Sequence, residues 1–333
     1  MDSFKLRPFL ADDFEALHEI VSDFEVVKRL WRWPYPAEAD FTRMRMNTPE
    51  AKAGQVLVIE VEGAVAGMIG GVNGSIGYLL GRAFWGRGIA TWAVREMVLR
   101  MFEGSDIAEV SANVWLDNAA SAKVLAKNGF TACCESEEFC KARGENLKYN
   151  KFCLKRTDWA RAQPLALQTD RLVIEPFTGD EAAALSALMN DPDIAKMMAT
   201  IPHPFTKAEA QKWLDERVFS HVIGDEAGFG AKVCLRDGTL IGLVAIGGAP
   251  ANTAYAFGRA YWGQGFATEA MREFIAHCER IFALKEITAG AMFDNPASQS
   301  VLLKLGFEKV GEKMHCPLGR SAAEPLWLYR LTR

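Results

Sequence analysis

The chain lacks the features that mark most specialised protein classes. It has no basic excess: 38 Lys and Arg stand against 42 Asp and Glu, a formal net charge of −4. That balance argues against a nucleic-acid partner, whose phosphates call for a clustered basic surface. No apolar run approaches the roughly 20 residues that a membrane-spanning helix needs. The opening Met1-Asp2-Ser3-Phe4-Lys5 has none of the zones of a secretory signal, so a cytoplasmic protein without a membrane partner is expected. The seven cysteines contain no Cys-x-x-Cys pair, which excludes the usual zinc frameworks and predicts reduced thiols and no metal. Neither the G-x-G-x-x-G dinucleotide fingerprint nor a Gly-Lys-Ser/Thr phosphate loop occurs.

What is present is present twice. Trp85-Gly86-Arg87-Gly88-Ile89-Ala90-Thr91 returns as Trp262-Gly263-Gln264-Gly265-Phe266-Ala267-Thr268. At the same spacing Asp117-Asn118-Ala119-Ala120-Ser121 becomes Asp294-Asn295-Pro296-Ala297-Ser298, and Gly129-Phe130 becomes Gly306-Phe307. Closer to the start of each half, Leu6-Arg7-Pro8-Phe9 parallels Ile174-Glu175-Pro176-Phe177, and Trp33-Pro34-Tyr35-Pro36 parallels Ile201-Pro202-His203-Pro204. This second spacing is shorter, so the later half has gained residues, placed around Phe219 to Gly230. Solenoid repeats run about 20–50 residues, so a period this long means two whole domains. The expected division is 1–157, a linker 158–168 around Pro164, and 169–333.

Periodicity gives a coarse reading of each half. Gln55 to Glu62 and Val65 to Val72 are rich in β-branched residues and flank Gly63, a hairpin signal. Ser75 to Gly81 is a third strand. Gly88 to Phe102 is a helix whose apolar stripe runs through Ile89, Ala93, Met97 and Met101. A strand from Ile107 to Trp115 and a short helix from Ala119 to Asn128 follow. The second half repeats the plan, with the stripe Phe266, Ala270, Phe274 and the strand Glu286 to Phe293.

The repeated loop carries the chemistry. Two glycines between a strand and a helix allow a tight turn and leave amide N–H groups uncovered. With the positive end of the helix dipole, those amides form an anion site suited to a pyrophosphate.

On these residues the chain resembles two GNAT-superfamily acyl-CoA N-acyltransferases in tandem, of the RimJ/RimL-like branch of ribosomal-protein N-terminal acetyltransferases. The carriers are Tyr261 to Ala270, Asp294 to Ser298, Thr169-Asp170-Arg171-Leu172, and Pro202-His203-Pro204-Phe205. The resemblance implies an α/β fold (α+β by some usage) of two domains, each a mixed, largely antiparallel sheet flanked by helices. It implies acetyl-CoA as co-substrate and transfer of its acetyl group to an amine by direct attack. Arg87, Gly88, Ile89 and Ala90, and Gln264, Gly265, Phe266 and Ala267, would supply amides to the pyrophosphate. Tyr78, Leu79 and Leu80, and Tyr255, Ala256 and Phe257, would form the strand that pairs with the pantetheine arm. Asn118 and Asn295 would touch pantetheine or cap the short helix. Arg82 and Arg259 flank the anion site. Tandem copies suggest an intrachain pseudo-dimer and leave room for a homodimer.

The catalytic pattern departs from the superfamily norm. Many members carry an acid on the third strand of the meander, where Ser75-Ile76-Gly77 and Asn252-Thr253-Ala254 stand here. Many use a tyrosine where this chain has Leu125 and Leu302. The RimJ/RimL-like branch points instead to the serines of the Asn-x-x-Ser turn, Ser121 and Ser298. The acid or base after Gly-Phe would be Glu137 or Glu138 in the first half and His315 in the second, histidine being a residue type suited to base work. A lysine amine is only ~0.1% free base near pH 7.4, whereas an α-amine is ~30% free. With no strong base in view, an α-amine or a small low-pKa amine is the favoured acceptor. The alternatives are an acetyltransferase for a polyamine or antibiotic, and a non-catalytic acyl-CoA-binding sensor. The second half, with Glu269 where the first has Trp92, is favoured as the active one.

Overall fold

Residues 4–217 and 229–333 are described by the structure, a computed structural model. The chain separates into Met1–Trp159 and Ala160–Arg333, called unit 1 and unit 2. The gain expected around Phe219 to Gly230 lies for the most part outside the described residues.

Unit 1 runs β1 (Phe4–Arg7), α1 (Phe14–Ser22), α2 (Phe24–Val27), α3 (Ala39–Met46), α4 (Pro49–Lys52), β2 (Val56–Val61), β3 (Ala64–Val72) and β4 (Ser75–Leu80). It continues with α5 (Ile89–Glu103), β5 (Glu109–Trp115), α6 (Ala119–Lys127), β6 (Thr131–Cys140) and β7 (Glu145–Lys155). Helix α7 (Arg156–Arg161) passes into unit 2, where β8 (Leu167–Gln168) and β9 (Leu172–Pro176) follow. The segment read as a linker therefore holds the end of a helix and a short strand. Next come α8 (Ala182–Met189), α9 (Pro192–Ala195), α10 (Lys207–Arg217), β10 (Phe229–Leu235), β11 (Leu240–Gly247) and β12 (Asn252–Phe257). Unit 2 ends with α11 (Phe266–Phe282), β13 (Glu286–Met292), α12 (Pro296–Lys304), β14 (Glu308–His315) and β15 (Glu324–Thr332).

The sheet of unit 1 is ordered β1-β2-β3-β4-β5-β7-β6, and that of unit 2 β14-β15-β13-β12-β11-β10-β9-β8. Neighbours are antiparallel except for β4 with β5 and β12 with β13, which are parallel. This is the mixed, helix-flanked α/β architecture expected for each half. The hairpin of β2 and β3 turns at Glu62 and Gly63, both at positive φ.

The centres of the sheets are buried on both faces, which explains why β11 reads as an unbroken apolar run and β2 is interrupted only at Glu60, which pairs with Arg7. In unit 2, Val244 and Ile246 of β11 meet Phe274, Ala270 and Cys278 of α11 on one face. Leu243 meets Leu185, Trp213 and Leu214 of α8 and α10 on the other. Phe274 is fully buried, an arrangement worth roughly 1.5–3 kcal/mol for a side chain of its size. Leu125 and Leu302, where many superfamily members place a tyrosine, are also fully buried. Those positions face packed cores and offer no hydroxyl.

One expectation needs correction. The cysteines are not all free thiols: Cys133 and Cys153 form a disulfide with a Cα–Cα distance of 6.1 Å. The β6–β7 register sets Thr131 opposite Cys153 and shifts between Ala132 and Cys134, which brings Cys133 within reach. Cys140, Cys234 and Cys278 are buried thiols, as a cysteine in a core ordinarily is.

His277 lies on the buried face of α11. Burial, and the guanidinium of Arg280 with a nitrogen 3.2 Å from Nδ1, push its pKa down to about 4 from 6.5. The unfolded chain therefore takes up a proton between these values that the folded chain refuses, so stability falls as pH drops through that window. The melting temperature of the wild type is expected to fall faster than that of His277→Gln between pH 6.5 and pH 4. Parallel curves would show that another group governs the acid limb.

Candidate functional site

A break inside each sheet prepares the site. Strand β4 pairs with β3 along its whole length, from Val72 opposite Ser75 to Gly67 opposite Leu80. On its other edge it meets β5 only at Ser75 opposite Ser111, and beyond that the two strands part. In unit 2, β12 meets β13 at Asn252 opposite Thr288 and Thr253 opposite Ala289, then parts from it. Tyr78, Leu79 and Leu80, like Tyr255, Ala256 and Phe257, thus keep one edge without a strand partner. Backbone donors and acceptors in a sheet interior demand partners, so this cleft suits an extended ligand that carries amides.

The glycine loop closes the wide end of the cleft. The indole N–H of Trp85 donates to the carbonyl oxygen of Leu80 at 2.9 Å, and that of Trp262 to Phe257 at 2.7 Å. Each tryptophan so braces the loop onto the strand that precedes it. Gly86 and Gly88 sit at φ 76° and 78°, and Gly263 and Gly265 at 73° and 82°. A side chain at Gly86, Gly88 or Gly263 would meet nothing within 4 Å, so conformation and not crowding requires glycine there. Gly88 and Gly265 are the N-caps of α5 and α11 and contribute no capping side chain. The first-turn amides of both helices therefore lack a side-chain cap, and uncapped amides at a helix start are the donors an anion uses. Ile89 and Phe266 are buried and anchor the helix starts, while Ala90 and Ala267 are half-buried.

The cations around the loops are engaged with carboxylates or neighbouring groups. Arg82 pairs with Asp23 at 2.6 Å, and Arg259 with Asp193 at 2.6 Å. Arg87 lies over the Phe84 ring, and Gln264 donates to the Ala260 carbonyl oxygen at 2.8 Å. In unit 2 a further cation joins them. Arg171 pairs with Glu269 at 2.5 Å, donates to the carbonyl oxygen of Gln264 at 3.1 Å, and stacks on Phe266. Thr169 also donates to Glu269, at 2.5 Å. In unit 1 the corresponding contact is aromatic, between Trp92 and Phe4.

Asn118 and Asn295 cap α6 and α12. Their side-chain oxygens accept the N–H of Ser121 at 3.3 Å and of Ser298 at 3.0 Å. Each serine hydroxyl faces a tyrosine from the opposite strand of the cleft. Tyr78 OH lies 2.7 Å from Ser121 Oγ, and Tyr255 OH lies 2.8 Å from Ser298 Oγ. Burial pushes both phenols up to about 12, with the serine bond pulling the other way. Both phenols therefore keep their protons at working pH.

The remaining candidates stand apart from these pairs. Glu138 is exposed on β6, opposite Leu147 of β7. His315 closes β14, opposite Glu324 and half-buried. Neither has a hydrogen bond to its serine. Two arginines absent from the sequence expectations do reach the site. Arg143 binds Asp117 with both terminal nitrogens, at 2.6 and 3.2 Å, and donates to the Lys28 carbonyl oxygen at 2.9 Å. Arg320 binds Asp294 at 2.7 and 3.0 Å and the Lys196 carbonyl oxygen at 2.8 Å. Each ties the β6–β7 or β14–β15 connection to the turn that carries the serine. Only the match between Arg143 and Arg320 at the spacing of the repeat could have marked them.

The aromatic segment of unit 1 serves packing. Trp33 is buried among Leu17, Val21 and Met46, and Trp31 stacks on Trp115 with ring centres 3.9 Å apart. Arg29 of the same segment donates to Asn118 at 3.2 Å and lies over the Trp85 ring at 5.0 Å. One guanidinium thus touches both lips of the unit 1 cleft. In unit 2 the matching positions are Met197 and Ala199, and a cavity of about 240 Å³ opens beside Ala199, Phe205, Glu209, Lys212, Trp213 and Leu318.

Known proteins share this plan. The family description "Acetyltransferase (GNAT) domain" matches residues 4–131 and again 171–308. The FsC-acetyl coenzyme A-N(2)-transacetylase of Aspergillus fumigatus is 30% identical over 165 residues, spanning 45% of this chain and 67% of that protein. An uncharacterized N-acetyltransferase of Bacillus subtilis, YoaA, is 24% identical over 160 residues, spanning 44% of this chain and 84% of its own. Among solved structures, the ribosomal-protein-S5-alanine acetyltransferase from Vibrio fischeri aligns with a TM-score of 0.44 and 21% identity, over 50% of this chain and 96% of that one. With two domain matches that together span most of its length, the chain belongs to the acetyltransferase (GNAT) domain family and carries that domain twice.

Proposed function

We propose that acetyl transfer takes place in unit 2 and that unit 1 is a closed copy. The chain is an acetyl-CoA-dependent acetyltransferase whose acceptor is an amine. In the proposed assignment the amides of Gln264 to Ala267 receive the pyrophosphate, and the free edge of Tyr255 to Phe257 receives the pantetheine arm. Asn295 holds the turn, and Ser298 gives a proton to the leaving thiolate.

The observation that carries this reading is the state of the two clefts. In unit 1 the Arg29 guanidinium spans from Asn118 to Trp85, across the path between the free strand edge and the glycine loop. Trp31 fills the adjoining space against Trp115. Met197 and Ala199 make neither contact in unit 2: Met197 instead meets Arg320 at 3.5 Å, and a cavity opens beside Ala199. Leu318 lines that cavity, and Arg320 holds Asp294 at the start of the serine turn, so cavity and serine share one bracing element. The cavity wall carries both signs of charge, Glu209 and Lys212. An α-amine or a small low-pKa amine fits best, because among the described residues no carboxylate hydrogen-bonds to Ser298 to serve as a base for a lysine side chain. His315, half-buried at the end of β14, is the candidate base of unit 2.

Two measurements test the assignment. Calorimetry is expected to find one acetyl-CoA per wild-type chain, none after Gly265→Asp, and a second site after Arg29→Met. Two equal sites in the wild type would overturn the closed-copy reading. Thiol release with a panel of amines is expected to favour peptides with a free N-terminus or small amines over blocked peptides whose only amine is a lysine side chain. Tight coenzyme binding with no turnover on any amine would replace the enzyme with an acyl-CoA sensor.

A further inference from the structure

We infer that Tyr255 is a positioning residue for acetyl transfer: its hydrogen bond to Ser298 commits the serine's own proton to the leaving sulfur. This rests on the assignment of Ser298 as the proton donor.

Ser298 is held from two sides. Its backbone N–H is fixed by Asn295 Oδ1 at 3.0 Å, and its Oγ by the Tyr255 hydroxyl at 2.8 Å. Tyr255 lies just beyond the last parallel pair of β12 and β13, so this bond crosses the cleft where the strands begin to part. The Ser298 carbonyl oxygen is also within 3.2 Å of the phenol, but the shorter contact is to Oγ. A phenol that needed only one acceptor to satisfy its burial would not require the hydroxyl.

Each hydroxyl has one proton to give. A phenol is a stronger acid than an aliphatic alcohol, so the shared bond takes its proton from Tyr255. Ser298 Oγ then accepts, and its own O–H is left to point into the cleft. Without Tyr255 that O–H is free to rotate toward the backbone, as serines in a first helical turn commonly do. Unit 1 repeats the pair, with Tyr78 OH at 2.7 Å from Ser121 Oγ.

The step balances. The amine nitrogen forms its bond to the acetyl carbon, and the carbon–sulfur bond breaks with its electron pair left on sulfur. Ser298 passes its proton to the sulfur while the Tyr255 bond steadies the charge that grows on Oγ. The proton lost from the nitrogen returns to Ser298 through water.

The test is a double-mutant cycle on the full chain with Tyr255→Phe, Ser298→Ala and both together. Steady-state thiol release gives kcat and KM, and calorimetry gives acetyl-CoA affinity. Tyr255→Phe is expected to lower kcat by about tenfold, the scale of one hydrogen bond to a developing charge. Acetyl-CoA affinity and KM are expected to stay within about twofold, since the coenzyme contacts remain. In the Ser298→Ala background the tyrosine substitution is expected to have no further effect. Equal losses in both backgrounds would overturn the inference, as would a loss of affinity with kcat intact. If Ser298→Ala alone keeps full kcat, the serine assignment fails and takes the inference with it. If Tyr255→Phe does not fold, Tyr255→Leu replaces it in the same cycle.

Discussion

Each unit depends on a parallel strand pair that stops almost as soon as it starts. Strands β4 and β5 share one residue pair and β12 and β13 share two, where their other neighbours pair along most of their length. A sheet ordinarily cannot leave such an edge bare, because unpaired backbone groups in an interior are unfavourable by about the worth of a lost hydrogen bond each. In the proposed assignment a ligand takes the missing strand's place. Three braces recur around the gap in both units: the indole bond, the capped turn, and the arginine that pins the turn to the following connection.

The same frame explains how two copies of one domain can differ in use. The braces recur at matching positions, from the Trp85 and Trp262 indoles to the Arg143 and Arg320 forks. What changes lies on the segment after α2 and α9. There Arg29 reaches Asn118 and Trp85 and Trp31 stacks on Trp115, where unit 2 has Met197 against Arg320 and Ala199 beside a cavity. In the proposed reading two long side chains close the unit 1 cleft while its walls stay as they were, and the Trp31–Trp115 stack adds aromatic packing where unit 2 has Ala199 and Met292.

How much could be read from the sequence follows from the range of each interaction. The loop was legible because its glycines obey a local rule, positive φ, that a linear motif records. The stripes of α5 and α11 were legible by period. The Tyr–Ser pairs were not, since tyrosine and serine lie on elements 43 residues apart and both residue types are common. The strand pattern places Tyr78 and Tyr255 on the free edge by their backbone and carries no sign of where their hydroxyls reach. The cysteine reading failed for a related reason: a register shift within β6 decided that Cys133 meets Cys153, and spacing alone does not reveal such a shift. Arg29 was invisible until the lips of the cleft were placed in space.

These elements together define an unusual division of charge in the site. The nearby arginines are committed, Arg259 to Asp193 and Arg171 to Glu269, so the proposed assignment leaves the coenzyme's pyrophosphate to backbone amides and the helix dipole. On the reacting side the donors are neutral hydroxyls, and burial holds the tyrosine at about 12 so that it does not ionise near neutral pH. A cleft built this way presents fixed dipoles where charge develops and needs no reorganisation when it does. In the proposed assignment the acceptor's own pKa sets the fraction of free amine, so the choice of acceptor falls to the chemistry of the amine more than to a base in the protein.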